Sequence, residues 1–146
     1  MIQQLPKQLG FTLLEMLVVL VIIGLLAGLV GPRLFSQVDI SKVKTAQTQV
    51  KMFKGTLETL RLDIGRFPTD QEGLATLRTA PNDPKIQPFW KGPYLEDALP
   101  LDPWNNPYQY STQGRDGQPF ALYSFGADGQ PGGTGNNADV GYLPNR

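Results

Sequence analysis

Gly10-Phe11-Thr12-Leu13-Leu14-Glu15-Met16-Leu17-Val18-Val19-Leu20-Val21-Ile22-Ile23-Gly24-Leu25-Leu26-Ala27-Gly28-Leu29-Val30 is the stretch that decides the fold of this chain. As a helix rising about 1.5 Å per residue, Phe11 to Val30 would span about 30 Å, the thickness of a bilayer's hydrocarbon core. The block is longer than the h-region of a secretory signal, usually about 7 to 15 residues. Gly31-Pro32-Arg33 follows it where a small-x-small cleavage site would otherwise stand. The block is therefore expected to stay in the mature protein as a membrane span, and the polar leader 1–10 is the part that can be removed. Glu15 is the one charge within the span. A carboxylate at mid-membrane costs roughly 2.5–3.5 kcal/mol on insertion scales and less near an end. Two readings of it stay open: an intramembrane acid kept for function, or an interfacial side chain accommodated by tilt or snorkelling.

The composition narrows the chemistry. The chain has 146 residues, no net charge, no cysteine and no histidine. One span plus a moderate remainder predicts a single globular domain on a membrane anchor. Ser-His-Asp and Cys-His catalysis are excluded, as is a His- or Cys-ligated zinc site, which leaves carboxylate, Lys or Tyr chemistry to any enzyme. Acidic and basic residues are scattered without a Lys/Arg-rich run, so no nucleic-acid partner is expected. Disulfides cannot staple the fold.

Beyond Pro32 the pattern turns amphipathic. Val43, Ala46, Val50, Phe53, Leu57, Leu60 and Ile64 recur at spacings of three and four, with Lys44, Lys51, Lys54, Glu58 and Arg61 between them. This is one apolar stripe on a helix. It is read either as the second half of one long helix from Phe11 to Asp63, with Gly31-Pro32 as its kink or unwinding point, or as a separate core helix after a linker. The expected division is 1–10 leader, 11–31 membrane half, 32–64 amphipathic half and 65–146 globular part. Gly65 suits a helix C-terminus, and Thr69 with Glu72 forms a capping box ahead of a short helix from Gly73 to Thr79. Asp70 and Glu72 are read as a cap, since nothing nearby would activate them as a catalytic pair. Residues 80–107 read as a packed loop anchored by Phe89, Trp90, Tyr94 and Trp104. Strands are expected at Tyr108–Ser111 and Phe120–Ser124 as a hairpin, with a third strand near Tyr94, and the resulting sheet would cover the helix stripe. The fold class is α+β.

The glycine-rich run Ser124 to Val140 lacks the Gly-Lys-Ser/Thr of a phosphate loop. Asp128 and Asp139 take positions one and twelve of an EF-hand-like spacing, but Gln130, Gly132 and the terminal Asp do not fit that motif. Two carboxylates, amide and hydroxyl oxygens, and glycines that let carbonyls converge point to a hard-cation site of irregular geometry, with calcium favoured over zinc or copper. A flexible glycine-rich tail is the competing reading. Against it stands the small size of the part after Gly65, whose core calls for a staple that cysteine cannot supply.

Gly10-Phe11-Thr12-Leu13-Leu14-Glu15 after a polar leader resembles the class III signal of type IV pilins and pseudopilins. The resemblance implies cleavage after Gly10 by a prepilin peptidase, N-methylation of Phe11, and pairing of Glu15 with a neighbouring subunit's terminal amine. Leu60-Arg61-Leu62-Asp63-Ile64-Gly65-Arg66-Phe67-Pro68-Thr69 resembles a junction in the major pseudopilins of type II secretion. Asp102-Pro103-Trp104-Asn105-Asn106-Pro107-Tyr108 is similar to that family's Asp-Pro-Trp-Gly-x-Pro-Tyr, with Asn105, which tolerates a left-handed backbone, in place of Gly. Ser124-Phe125-Gly126-Ala127-Asp128-Gly129 resembles the start of its calcium loop. By that match Asp128 and Asp139 would ligate through side chains and Phe125 and Gln130 through carbonyls, with Thr134 or Asn137 filling in. Ala138 departs from the pattern, standing where many relatives carry a first Asp. The resemblance implies a type IV pilin-like fold in which the long N-terminal helix packs on a small antiparallel sheet, with a C-terminal calcium-binding loop. It also implies a non-enzymatic filament subunit, held in the inner membrane with its globular part in the periplasm. The implied partners are further copies of the chain, minor pseudopilins, the prepilin peptidase and the inner-membrane assembly platform. A minor pseudopilin, a type IV pilin, and a membrane-anchored calcium-dependent binding module or hydrolase are the alternatives.

Overall fold

The computed structural model describes residues 9–145, and the chain divides into two compact units, Met1–Val38 and Asp39–Arg146. One helix, α1 (Leu13–Ile64), supplies residues to both. Its start lies two residues later than expected, because Thr12 serves as the N-cap: the Glu15 N–H reaches Thr12 Oγ1 at 3.2 Å, and the Thr12 N–H reaches Glu15 Oε2 at 2.8 Å. This reciprocal box satisfies backbone donors that have no partner inside the helix. Within the first unit Gly31 and Pro32, expected as a kink or unwinding point, lie inside the helix, which is not unwound there. Proline has no N–H, so the Gly28 carbonyl lacks its helical donor there. Every residue from Leu13 to Val30 is exposed, an apolar sleeve that water alone would not tolerate.

In the second unit the stripe of α1 becomes the core. Ala46, Val50, Phe53, Leu57, Leu60 and Ile64 are buried, whereas Val43, expected to begin the stripe, is only half-buried. Leu74, Leu77, Tyr108, Phe120 and Leu122 close over this face. Each buried Leu or Phe contributes about 1.5–3 kcal/mol relative to exposure. Phe53 meets Tyr108 edge-on at 5.2 Å between ring centroids, and Phe67 meets Phe120 at 4.9 Å. Gly65, at φ +81°, ends the helix, with its N–H on the Arg61 carbonyl at 2.8 Å.

Thr69 and Glu72 form the expected capping box, the Thr69 N–H donating to Glu72 Oε2 at 2.9 Å. The helix behind it is a 3-10 segment, Gly73–Leu77, shorter than expected. Arg66 adds a two-pronged bond to Glu72 at 2.7 and 2.9 Å, and chiefly this holds the Glu72 carboxyl down at about 2. In the loop region Trp90 and Tyr94 are anchors: the Trp90 indole donates to the Thr76 carbonyl and the Tyr94 hydroxyl to Asp63. Phe89 is not an anchor but lies 59% exposed; it ends a single 3-10 turn, Gln87–Phe89, none of whose residues is buried.

The sheet has three antiparallel strands in the order β1 (Gln109–Ser111), β2 (Ala121–Ser124) and β3 (Val140–Tyr142). β2 is central and wholly buried. The third strand is therefore not near Tyr94 but at the end of the chain, where Tyr142 pairs with Leu122 and Val140 with Ser124. The expectation near Tyr94 fails because the Tyr94 N–H is engaged by the Leu77 carbonyl in a loop contact. The segment expected to bind a cation is thus the connection from β2 to β3.

Candidate functional site

Two sets of sequence-predicted residues occupy separate places. At the N-terminal end, Gly10 and Phe11 lie in exposed, non-helical backbone directly ahead of α1. Chain outside a helix can enter a protease cleft, whereas a helix must first unwind. The rest of the leader, residues 1–8, lies outside the described residues. Glu15 is exposed on the first turn, and its Oε2 takes both the Thr12 N–H and the Thr12 hydroxyl, the latter at 3.0 Å. Thr12 was not singled out in the sequence, although Thr12-x-x-Glu15 carries the same box signal as Thr69-x-x-Glu72.

The β2–β3 connection folds as a closed loop. Gly126, at φ +73°, is where its two arms meet: a Cβ there would lie 2.6 Å from the Ala138 carbonyl oxygen and 2.9 Å from that of Asn136. The neighbouring Ala127 N–H donates to the Asn136 carbonyl at 2.8 Å. Backbone oxygens of the returning arm therefore converge on the outgoing one. Asp139 is half-buried, its Oδ2 accepting the Gly132 N–H at 3.1 Å and its Oδ1 enclosed from solvent. Asp128 is exposed, with Oδ1 accepting the Gln130 N–H at 3.0 Å in a local turn. Thr134 and Asn137 are exposed and belong to a 3-10 turn in which the Asn137 N–H donates to the Thr134 carbonyl. Phe125 is half-buried and packs edge-on against Tyr123.

Among the described residues no group of three or more Asp, Glu, His or Cys is placed to hold a metal. An ion in this loop would draw on carbonyl, amide and hydroxyl oxygens beside a carboxylate or two. That donor set suits a hard cation such as calcium, which accepts six to eight oxygens in flexible geometry. The enclosed Asp139 oxygen and the converging carbonyls fit such an ion.

Beneath the loop lies a polar pair that sequence reasoning missed. Asp102 and Ser124 are buried at 3% and 0% exposure. Asp102 Oδ1 accepts the N–H groups of Trp104 and Asn106 at 3.0 and 2.8 Å, which shapes the turn containing Asn105 at φ +66°. Asp102 Oδ2 accepts the Ser124 hydroxyl at 2.5 Å, and Ser124 Oγ in turn accepts the Gly126 N–H at 3.0 Å. The turn leads into Tyr108, whose hydroxyl donates to Gln49 of α1. Burial, and after it the charge of Asp102, pushes the Tyr108 phenol above its ordinary value.

Residues 33–143 match the family model described as type II secretion system (T2SS), protein G, and residues 5–31 match the prokaryotic N-terminal methylation motif. The type II secretion system core protein G of Pseudomonas aeruginosa is 45% identical over 140 residues, covering 95% of this chain and 97% of the relative. That of Vibrio cholerae is 40% identical over 139 residues, covering 95% and 94%. The crystal structure of the major pseudopilin from the type 2 secretion system of enterohaemorrhagic Escherichia coli is similar with a TM-score of 0.60 at 28% identity. It covers 75% of this chain and 92% of that one.

Proposed function

The chain belongs to the protein G family of the type II secretion system, and from that premise we propose that it polymerises through α1 into a pseudopilus that drives export of folded proteins across the outer membrane. The observation that carries this reading is the exposed apolar sleeve from Leu13 to Val30 with one carboxylate, Glu15, on its first turn. Lipid covers such a sleeve in the stored subunit, and neighbouring copies of the same helix cover it in a filament. Cleavage after Gly10 would create an amine at Phe11. A neighbour's amine and the Glu15 carboxylate offset each other's charge in low dielectric, while each alone is costly there. Both Thr12 bonds fall on Oε2, so Oε1 is the oxygen a neighbouring amine would reach. A contact between two different surfaces of one subunit type does not close, and non-closing contacts build helical filaments.

The span anchors the chain in the inner membrane with the leader cytoplasmic and the second unit periplasmic. The prepilin peptidase acts at Gly10 and Phe11, the assembly platform receives the subunit, and minor pseudopilins join the same filament. The role is assembly, without turnover of a substrate. Calcium in the β2–β3 loop would be held by Asp139 and Asp128 with carbonyls of Phe125 and Gln130 and oxygens of Thr134 or Asn137. It would tie β3 to the sheet where a disulfide is impossible. Mass spectrometry of the chain extracted from membranes with its peptidase tests the processing step. A methylated mature chain beginning at Phe11 is expected; a full-length chain beginning at Met1 in the presence of active peptidase would overturn it.

A further inference from the structure

In the buried Asp102–Ser124 pair, Ser124 ends β2 where the loop begins and Asp102 comes from a separate turn, yet the pair acts on the loop's crossing point. A serine hydroxyl has one proton to donate and lone pairs to accept with. Ser124 gives its proton to Asp102 Oδ2, so towards Gly126 it can only accept. The polarity of this chain is fixed by the carboxylate, which accepts and cannot donate. Gly126 is also where the carbonyls of Asn136 and Ala138 press against the outgoing arm. The Asp102 side chain, 22 residues before Ser124 in sequence, thus acts through Ser124 on the backbone at which both arms meet.

We propose that Asp102 is a positioning residue for the cation loop, acting through the Ser124 hydroxyl on the Gly126 N–H to hold the loop's backbone oxygens in ligating array. The proposal rests on the reading that the loop binds calcium. Asp102→Asn is the discriminating change. Oδ1 already accepts two N–H groups, so the amide oxygen must keep that place and the amide NH2 replaces Oδ2. It then donates to Ser124, whose other lone pair still accepts the Gly126 N–H, and the serine proton is left without the carboxylate that oriented it, with almost no change of shape.

Calcium chloride is titrated calorimetrically into the full-length wild type, Asp102→Asn, Ser124→Ala and the double variant in detergent, with melting in EGTA recorded alongside. Each single variant is expected to bind calcium roughly tenfold more weakly, the size of effect expected for one lost hydrogen bond to a charged group. The double variant is expected to be no weaker than the singles, because both changes disturb one hydrogen-bond chain at Ser124. A merely structural role would lower melting in EGTA while leaving calcium Kd unchanged, and that result overturns the proposal. Should Asp102→Asn fail to fold, Ser124→Ala decides alone, an unchanged Kd overturning the proposal. Wild type that binds no calcium would instead sink the cation reading itself.

Discussion

Gly126 and Gly132 lie in the same loop and both have positive φ, +73° and +84°, yet the structure assigns them different tolerance. A Cβ on Gly132 would meet nothing within 4 Å, so Gly132→Ala carries only the left-handed backbone penalty, about 1–2 kcal/mol. A Cβ on Gly126 would meet backbone carbonyl oxygens at 2.6 and 2.9 Å, and those atoms cannot swing aside as a side-chain tip can. The arms must part, which breaks the Ala127–Asn136 bond and disturbs the Gly126–Ser124 bond. Adding about 1 kcal/mol for each bond puts Gly126→Ala at about 3–4 kcal/mol. At about 4–8 °C per kcal/mol for a domain of this size, Gly132→Ala should lower the melting temperature by about 4–16 °C and Gly126→Ala by about 12–32 °C, two to three times as much. Circular dichroism melts of the full chain in detergent and calcium would read the difference. Equal shifts for the two variants would refute the crossing of the arms at Gly126.

EGTA should lower the melting temperature of the wild type, with added calcium restoring it and Asp128→Ala/Asp139→Ala abolishing the response; equal melting of the wild type with and without calcium would count against a bound ion. Because Arg66 depresses the folded Glu72 carboxyl to about 2 from 4.5, its stabilising contribution is complete above about pH 4.5 and disappears as pH falls towards 2. Discounted for solvent screening, Glu72→Gln should cost about 1–2 kcal/mol at pH 7 and almost nothing near pH 2, as read from urea midpoints; an equal cost at both would exclude the ion pair as the cause. Leu57→Ala, in the fully buried centre of the stripe, should destabilise by about 2–5 kcal/mol in the same assay, and the half-buried Val43→Ala by less than about 1 kcal/mol.

Local features were legible in the sequence. The three-four spacing from Ala46 to Ile64, Gly65 as a C-terminal residue, the Thr69–Glu72 box and a left-handed Asn105 all express rules that act within a few residues. The family match added the chain's kinship, from the N-terminal signal to the glycine-rich loop. What remained hidden depends on contacts between distant segments. Val140-Gly141-Tyr142 is too short, with glycine at its centre, to announce a strand; it becomes one because the loop returns it to β2. Phe89 and Trp90 are equal as apolar candidates, but only the indole N–H finds a buried carbonyl, that of Thr76. Asp102 and Ser124 look like ordinary loop and strand residues until the fold brings them together.

In the assembly proposed for this chain, copies join through the charged first turn of α1 that carries Glu15. The direct test is to express wild type and Glu15→Gln with the complete secretion system, shear the cells, and measure each protein in the released filament and membrane fractions. The wild type should appear in sheared filaments, while Glu15→Gln, processed and present in equal amount, should stay in the membrane. Glu15→Gln filaments equal to those of the wild type would contradict assembly through this carboxylate.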